Sequence, residues 1–256
     1  MERTIMVPPV LFEVDHQTAV ITLNRPERRN AINQQLLVHL YDALDAVAGR
    51  EDIRVAIITG NGPSFCAGLD LEAIGRENLF DPRGDGSDLP DLMRACKKPI
   101  IAAVNGHAIT GGFELALNCD FIIAAENAQF ADTHARVGIH PGWGMTQLLQ
   151  QTVGQRRAKQ ISFACQPVYA HTALAWGLVN EILPGEQLLE RAKTIAAQIV
   201  QTDPQLLSII KTLIENRNHG PLDQAFDQER NGLRKFLREK IRQFKGAGAT
   251  EALKKE

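Results

Sequence analysis

Pro99-Ile100-Ile101-Ala102-Ala103-Val104-Asn105-Gly106-His107-Ala108-Ile109-Thr110-Gly111-Gly112-Phe113-Glu114-Leu115 is the stretch that decides the fold. Its opening residues, Pro99 to Val104, are apolar without alternation, so a strand here must be covered on both faces. The glycines that follow permit a sharp turn, and a helix runs from there through Asn118. Upstream, Arg54–Thr59 with Val-Ala-Ile-Ile at its centre leads in the same way into a second Gly-rich segment, Gly60–Gly68. Phe121–Ala125 reads as a third buried strand. Buried strands separated by helices predict an α/β fold.

Outward from this centre, Val10–Val14 and Thr18–Leu23 flank Asp15-His16-Gln17 and read as a hairpin. Asn33 is placed to cap a helix whose apolar residues Leu36, Leu37, Leu40, Tyr41, Leu44 and Val47 recur at helical spacing. Leu79–Pro90 is the one long polar, Gly/Pro-rich insert, expected to be a mobile loop. Beyond Gly144 the pattern is helical throughout, with Gly185–Thr202, Pro204–His219 and Leu222–Lys245 as the last three helices. Phe226, Leu233, Leu237, Ile241 and Phe244 form an apolar stripe that needs a surface to cover.

The composition is that of an ordinary globular protein, 44% hydrophobic and 23% charged over 256 residues. A net charge of -2 gives no general attraction to nucleic acid. Cys66, Cys96, Cys119 and Cys165 form no C-x-x-C pair, which argues against a zinc ribbon or a disulfide framework and fits a reducing compartment. No apolar run is long enough to cross a bilayer and no targeting pattern opens the chain, so a cytoplasmic location is expected.

The glycine loops fail the familiar nucleotide signatures. Gly60-Asn61-Gly62-Pro63-Ser64-Phe65 has Phe where a dinucleotide fingerprint needs its third glycine. Gly106 to Gly112 has the spacing of a P-loop without its Lys and Ser/Thr. A Rossmann oxidoreductase is therefore the weaker reading. Both loops bring backbone N–H groups close to whatever they face, and two such groups aimed at one oxygen make an oxyanion hole. Glu114 lies in the first helical turn after the second loop, either as a charge complementing the helix or as an acid/base group.

The ordered set Asn24-Arg25-Pro26-x-x-x-Asn30-Ala31, Phe65-Cys66-Ala67-Gly68-Leu69-Asp70-Leu71, Pro99 to Leu115, Cys119-Asp120, Ala128-x-Phe130 and Gly138-x-x-Pro141-Gly142 resembles the crotonase (enoyl-CoA hydratase/isomerase) superfamily in order and spacing. The resemblance extends to the ending, Phe236 followed by Gln243-Phe244-Lys245-Gly246. It implies a spiral of ββα units over residues 1–195, holding an acyl-CoA site, and a C-terminal helical trimerisation region over 196–256. Trimers or hexamers are then expected. It also implies an oxyanion hole from the N–H groups of Ala67 and Gly111, and main chain from Cys66 to Leu71 (Cys66, Ala67, Gly68, Leu69, Asp70, Leu71) with the Arg28–Asn30 loop around the adenine of CoA. Lys245, with Phe236 of a neighbouring subunit, would meet the CoA phosphates. Coenzyme A enters as part of the substrate, with no tightly bound cofactor and no metal expected.

Hydratases of that superfamily carry a second glutamate twenty residues beyond the first, and here that position is His134. A histidine can serve as acid or base near neutral pH, so Glu114 and His134 are the catalytic candidates for hydration of a 2-enoyl-CoA. His134 could equally be a loop residue bonded to Asp132. Double-bond isomerisation, decarboxylation and thioester hydrolysis share the same enolate hole and stay open, as does a weakly catalytic CoA-binding homologue.

Overall fold

A computed structural model describes residues 7–216 and 220–252, with side chains as far as Leu237. The chain opens with the antiparallel hairpin β1 (Val10–Asp15) and β2 (Thr18–Leu23), then α1 (Gln34–Gly49), β3 (Val55–Gly60), β4 (Ser64–Cys66) and α2 (Leu89–Ala95). The next elements are β5 (Ile100–Val104), β6 (His107–Ile109), α3 (Gly111–Leu117), β7 (Phe121–Ala125), β8 (Gln129–Ala131) and α4 (His134–Val137). There follow α5 (Met145–Val153), α6 (Gln155–Ala164), β9 (Val168–Tyr169), α7 (Ala170–Ala175), β10 (Glu181–Leu183), α8 (Gly185–Val200), α9 (Pro204–Asn216) and α10 (Leu222–Ala252).

One sheet has the order β1-β2-β3-β5-β7-β10 and is parallel from β2 onward; the other has the order β4-β6-β8-β9. Each turn of the chain takes a long strand in the first sheet, a short strand in the second, and then a helix. Three successive turns of this kind, β3-β4-α2, β5-β6-α3 and β7-β8-α4, make the expected ββα spiral.

The unbroken apolar strands are explained by what covers them. Val55, Ile57, Ile101, Ala103, Ile123 and Ala125 face Leu188, Ala192 and Ala196 of α8. Their neighbours Ala56, Ile58, Ala102, Val104, Ile122 and Ala124 face the main core, with Leu36, Leu40 and Leu44 of α1. Each Leu or Ile so buried contributes about 1.5–3 kcal/mol relative to exposure. The α1 helix begins as its sequence dictates, with Asn33 Oδ1 accepting the Leu36 N–H at 3.0 Å.

Two expectations need correction. The segment after Gly144 is not helical throughout: β9 and β10 interrupt it, each too short to show periodicity and fixed only by pairing with β8 and β7. The polar insert is anchored. Its Arg83 reaches Asp42 of α1 at 3.2 Å, reaches Asp45 as well, and lies 5.5 Å over the Tyr41 ring. The chain divides into two compact units, Met1–Pro204 and Gln205–Glu256, and α8 lies wholly in the first, packed on the sheet. The second unit, Gln205–Glu256, holds all but the first residue of α9 and the whole of α10.

Candidate active site

Two asparagines, themselves part of the sequence pattern, shape the first glycine loop. Asn30 Nδ2 donates to the carbonyls of Asn61 and Ser64 at 3.0 and 2.8 Å, and Asn105 Oδ1 accepts the Gly60 N–H at 3.1 Å. The loop after β4 then lies along the Arg29–Ile32 segment. There the Ala67 N–H donates to Arg29 O at 3.0 Å, Ile32 N–H to Gly68 O at 2.8 Å, and Asp70 N–H to Ile32 O at 2.8 Å. The Ala67 amide, expected in the oxyanion hole, is therefore committed to Arg29 O in this structure.

The amide left without a partner on this loop lies two residues further on. In an extended strand the N–H groups of residues 67 and 69 would share a side. Gly68, at φ +89°, breaks that alternation, so residues 67 and 70 face Arg29–Ile32 and Leu69 does not. Among the described residues neither the Leu69 nor the Gly111 N–H has a hydrogen-bond partner. Gly111 is the first residue of α3, so no helical acceptor exists for it.

These two amides are neighbours. A methyl placed on Gly111 would lie 3.6 Å from Leu69 N, and one on Gly68 3.3 Å from Gly111 N. The approach needs glycine on both loops: a methyl on Gly112 would meet Cys66 O at 2.2 Å. Thr110, just before Gly111, holds φ +51° and ψ −110°, a costly conformation for a β-branched residue. It is kept there by its N–H to Ala131 O at 2.8 Å and by its hydroxyl against that of Thr133.

Leu69 and Gly111 line one cavity of about 350 Å³ with Glu114, His134, Trp143 and Thr133. Glu114 and His134 are 3% and 6% exposed, so their charges are largely dehydrated. Glu114 Oε1 accepts the Trp143 and Met145 N–H groups at 2.9 and 3.1 Å, while Oε2 lies 3.6 Å from His134 Nε2. Burial pushes the Glu114 carboxyl above its ordinary value, against the opposing backbone bonds and the nearby imidazole. His134 Nδ1 lies 2.7 Å from Asp132 Oδ1, and the His134 backbone N–H donates to the same oxygen at 3.1 Å. Burial raises Asp132, but the bonds from His134 and Ser162 outweigh it and hold that carboxyl below its usual range. The rest of the wall is apolar, with Leu71, Leu79, Phe80, Val137 and Ile139.

The chain as a whole matches a known family. Residues 13–255 fit the family described as enoyl-CoA hydratase/isomerase. The chain belongs to that family. Among its relatives, a probable peroxisomal enoyl-CoA hydratase 1 of Arabidopsis thaliana is 40% identical over 200 residues, covering 77% of this chain and 75% of the relative. A crotonyl-CoA hydratase of Syntrophomonas wolfei is 36% identical, with 86% of each covered. The crystal structure of an enoyl-CoA hydratase from Mycobacterium marinum superposes with a TM-score of 0.83 at 32% identity, covering 90% of this chain and 91% of that one.

The remaining family-derived site residues are placed as follows. Arg28 is half-exposed and pairs with Glu72 at 3.2 Å. Asp70 is held by Arg25 at 3.1 Å, which ties the glycine loop to the Arg25–Ile32 segment. Cys66 is fully buried, its thiol pushed up to about 12 by burial, and its sulfur accepts the Gly68 N–H at 3.4 Å. Leu71 lines the cavity and is exposed. Phe236 lies on α10 in the second unit, and Lys245 falls outside the residues whose side chains are described. Sequence reading did not single out the Leu69 N–H, whose one signal was the glycine before it; the contact of His134 with Asp132, one of the two readings of that histidine, is present in the structure.

Proposed function

We propose that the protein is an enoyl-CoA hydratase, a hydro-lyase that adds water across the double bond of a 2-enoyl-CoA. The observation that carries this reading is the position of Glu114 Oε2 and His134 Nε2, 3.6 Å apart, on the cavity that also receives two unpartnered amide N–H groups.

The thioester carbonyl oxygen sits between the Leu69 and Gly111 N–H groups. Glu114 takes a proton from water while the water oxygen bonds to the β-carbon. The π electrons of the double bond move onto the thioester as an enolate, whose charge the two amides receive. Each such donor is worth about 2.7–4 kcal/mol in the transition state. The enolate collapses by taking a proton at the α-carbon from His134 Nε2. Glu114 now holds a proton and His134 lacks one, so transfer from Oε2 to Nε2 resets the site. Water is consumed and nothing else.

The main chain of the Cys66–Leu71 and Arg28–Asn30 segments would hold the adenine end of CoA, with the acyl group against Leu71, Phe80 and Val137. The exposed apolar residues Leu206, Ile210 and Ile214 of α9 and Phe226 and Leu233 of α10 support assembly with further copies as a trimer or hexamer.

Crotonyl-CoA loses its conjugated absorbance on hydration. Wild-type protein is expected to abolish that absorbance, and Glu114→Ala or His134→Ala to slow it about 10²–10⁴-fold. Wild type that leaves crotonyl-CoA and longer 2-enoyl thioesters unchanged would refute the assignment.

A further inference from the structure

We propose that Asp132 and His134 act as one acid–base unit, with Asp132 a positioning residue that makes the imidazole carry its mobile proton on Nε2. This rests on the hydratase reading for its consequence, though not for its geometry. Asp132 Oδ1 accepts the backbone N–H of His134 at 3.1 Å and lies 2.7 Å from its Nδ1. A carboxylate there can only accept, so Nδ1 keeps its proton and Nε2 is the atom that gains and loses one beside Glu114. The side chains of Asp132 and His134 are 3% and 8% exposed, so water does not replace the contact.

The charge follows. Asp132 stays ionised, being bonded by His134 and by Ser162 of α6. With neutral imidazole the pair carries one negative charge, and with imidazolium it carries none. Those are the two charge states of a single carboxyl group. An isolated histidine would alternate between zero and plus one, and it would bind Glu114 and repel an approaching proton differently. The charged groups facing His134 are Asp132 on its own turn and Glu114 from α3. Arg136 is turned away to Cys165 O at 2.8 Å, and His140 Nδ1 is held on Pro141 O at 2.7 Å.

If the pair replaces one carboxyl, a third carboxylate at position 134 is one too many while Asp132 remains. His134→Glu alone is then expected to hydrate crotonyl-CoA at least about 100-fold more slowly than wild type, from like-charge crowding in a dehydrated site. Adding Asp132→Asn should restore at least about tenfold over His134→Glu, although each change alone is harmful. Asp132→Asn by itself keeps the oxygen facing His134 N–H and Nδ1–H and removes only the charge, so kcat should fall about 10–100-fold with KM nearly constant. Circular dichroism checks that each variant folds. A double variant no faster than His134→Glu overturns the proposal, as does unchanged kcat in Asp132→Asn, which decides the matter if His134→Glu does not fold. Imidazole 15N shifts of wild type, followed through the titration of His134, separate this from the hydratase reading: a neutral ring that keeps its proton on Nδ1 supports the unit whatever the substrate, and a neutral ring that keeps it on Nε2 refutes it. Failure of wild type on every 2-enoyl thioester would sink the hydratase reading alone.

Discussion

Replacing the backbone amide of residue 69 by an ester, with the α-hydroxy analogue of leucine, removes one N–H and leaves the side chain in place. The structure predicts a large kinetic effect and a small structural one. The Leu69 N–H has no partner in the protein, and the bridge to Ile32 uses Gly68 O and Asp70 N, at 2.8 Å each. Only the Gly68 carbonyl changes, to a weaker ester acceptor for the Ile32 N–H. The loss of one of two oxyanion donors is expected to lower kcat about 10²–10³-fold, about 2.7–4 kcal/mol in the barrier. The same replacement at residue 67 removes the Ala67 N–H bond to Arg29 O at 3.0 Å. That costs about 0.5–1.5 kcal/mol of stability and should leave kcat within a few-fold. Both proteins would be assayed on crotonyl-CoA and melted side by side. If the ester at 67 abolishes turnover and the ester at 69 does not, the assignment of the hole to Leu69 is wrong and Ala67 must leave Arg29 when substrate binds.

Two further outcomes follow from the site. Glu114→Gln should lower kcat about 10²–10⁴-fold yet raise Tm. A buried carboxyl whose value is raised favours the folded state fully below its unfolded value, and that contribution is lost as pH rises through the folded value, so the neutral isostere gains most above the folded value. Each kcal/mol corresponds to about 2–4 °C in a protein of this size, and the difference should shrink on acidification; a gain that grows towards pH 4 would contradict it. Gly68→Ala places a methyl 2.8 Å from Ile109 O at φ +89°, whereas one on Gly111 meets nothing closer than 3.5 Å. Gly68→Ala is therefore expected to cost about 1–3 kcal/mol and most of the activity, with Gly111→Ala folding normally in the same denaturant titration.

Much of this was visible without coordinates. Ile100–Val104 and Val55–Thr59 could only be strands covered on both sides, because no water-facing alternation interrupts them. Asn33 announced the start of α1, and the two glycine loops with Glu114 announced a site built from backbone amides. The short strands β9 and β10 were illegible, since two or three residues carry no period and take their conformation from the partner strand. The anchoring of the insert was hidden too, because Arg83 meets Asp42 and Asp45 across some forty positions of sequence.

The sequence by itself therefore determined the α/β class, the two converging loops and the exchange of a carboxyl for an imidazole at residue 134. Those follow from local patterns of size, charge and polarity along the chain. Which amide faces the cavity, and which group orients His134, only the tertiary structure decided. A single peptide rotates freely until Arg29 O claims the N–H of residue 67 and the left-handed turn at Gly68 sends that of residue 69 the other way. An imidazole likewise has two equivalent-looking nitrogens until a buried carboxylate takes one of them.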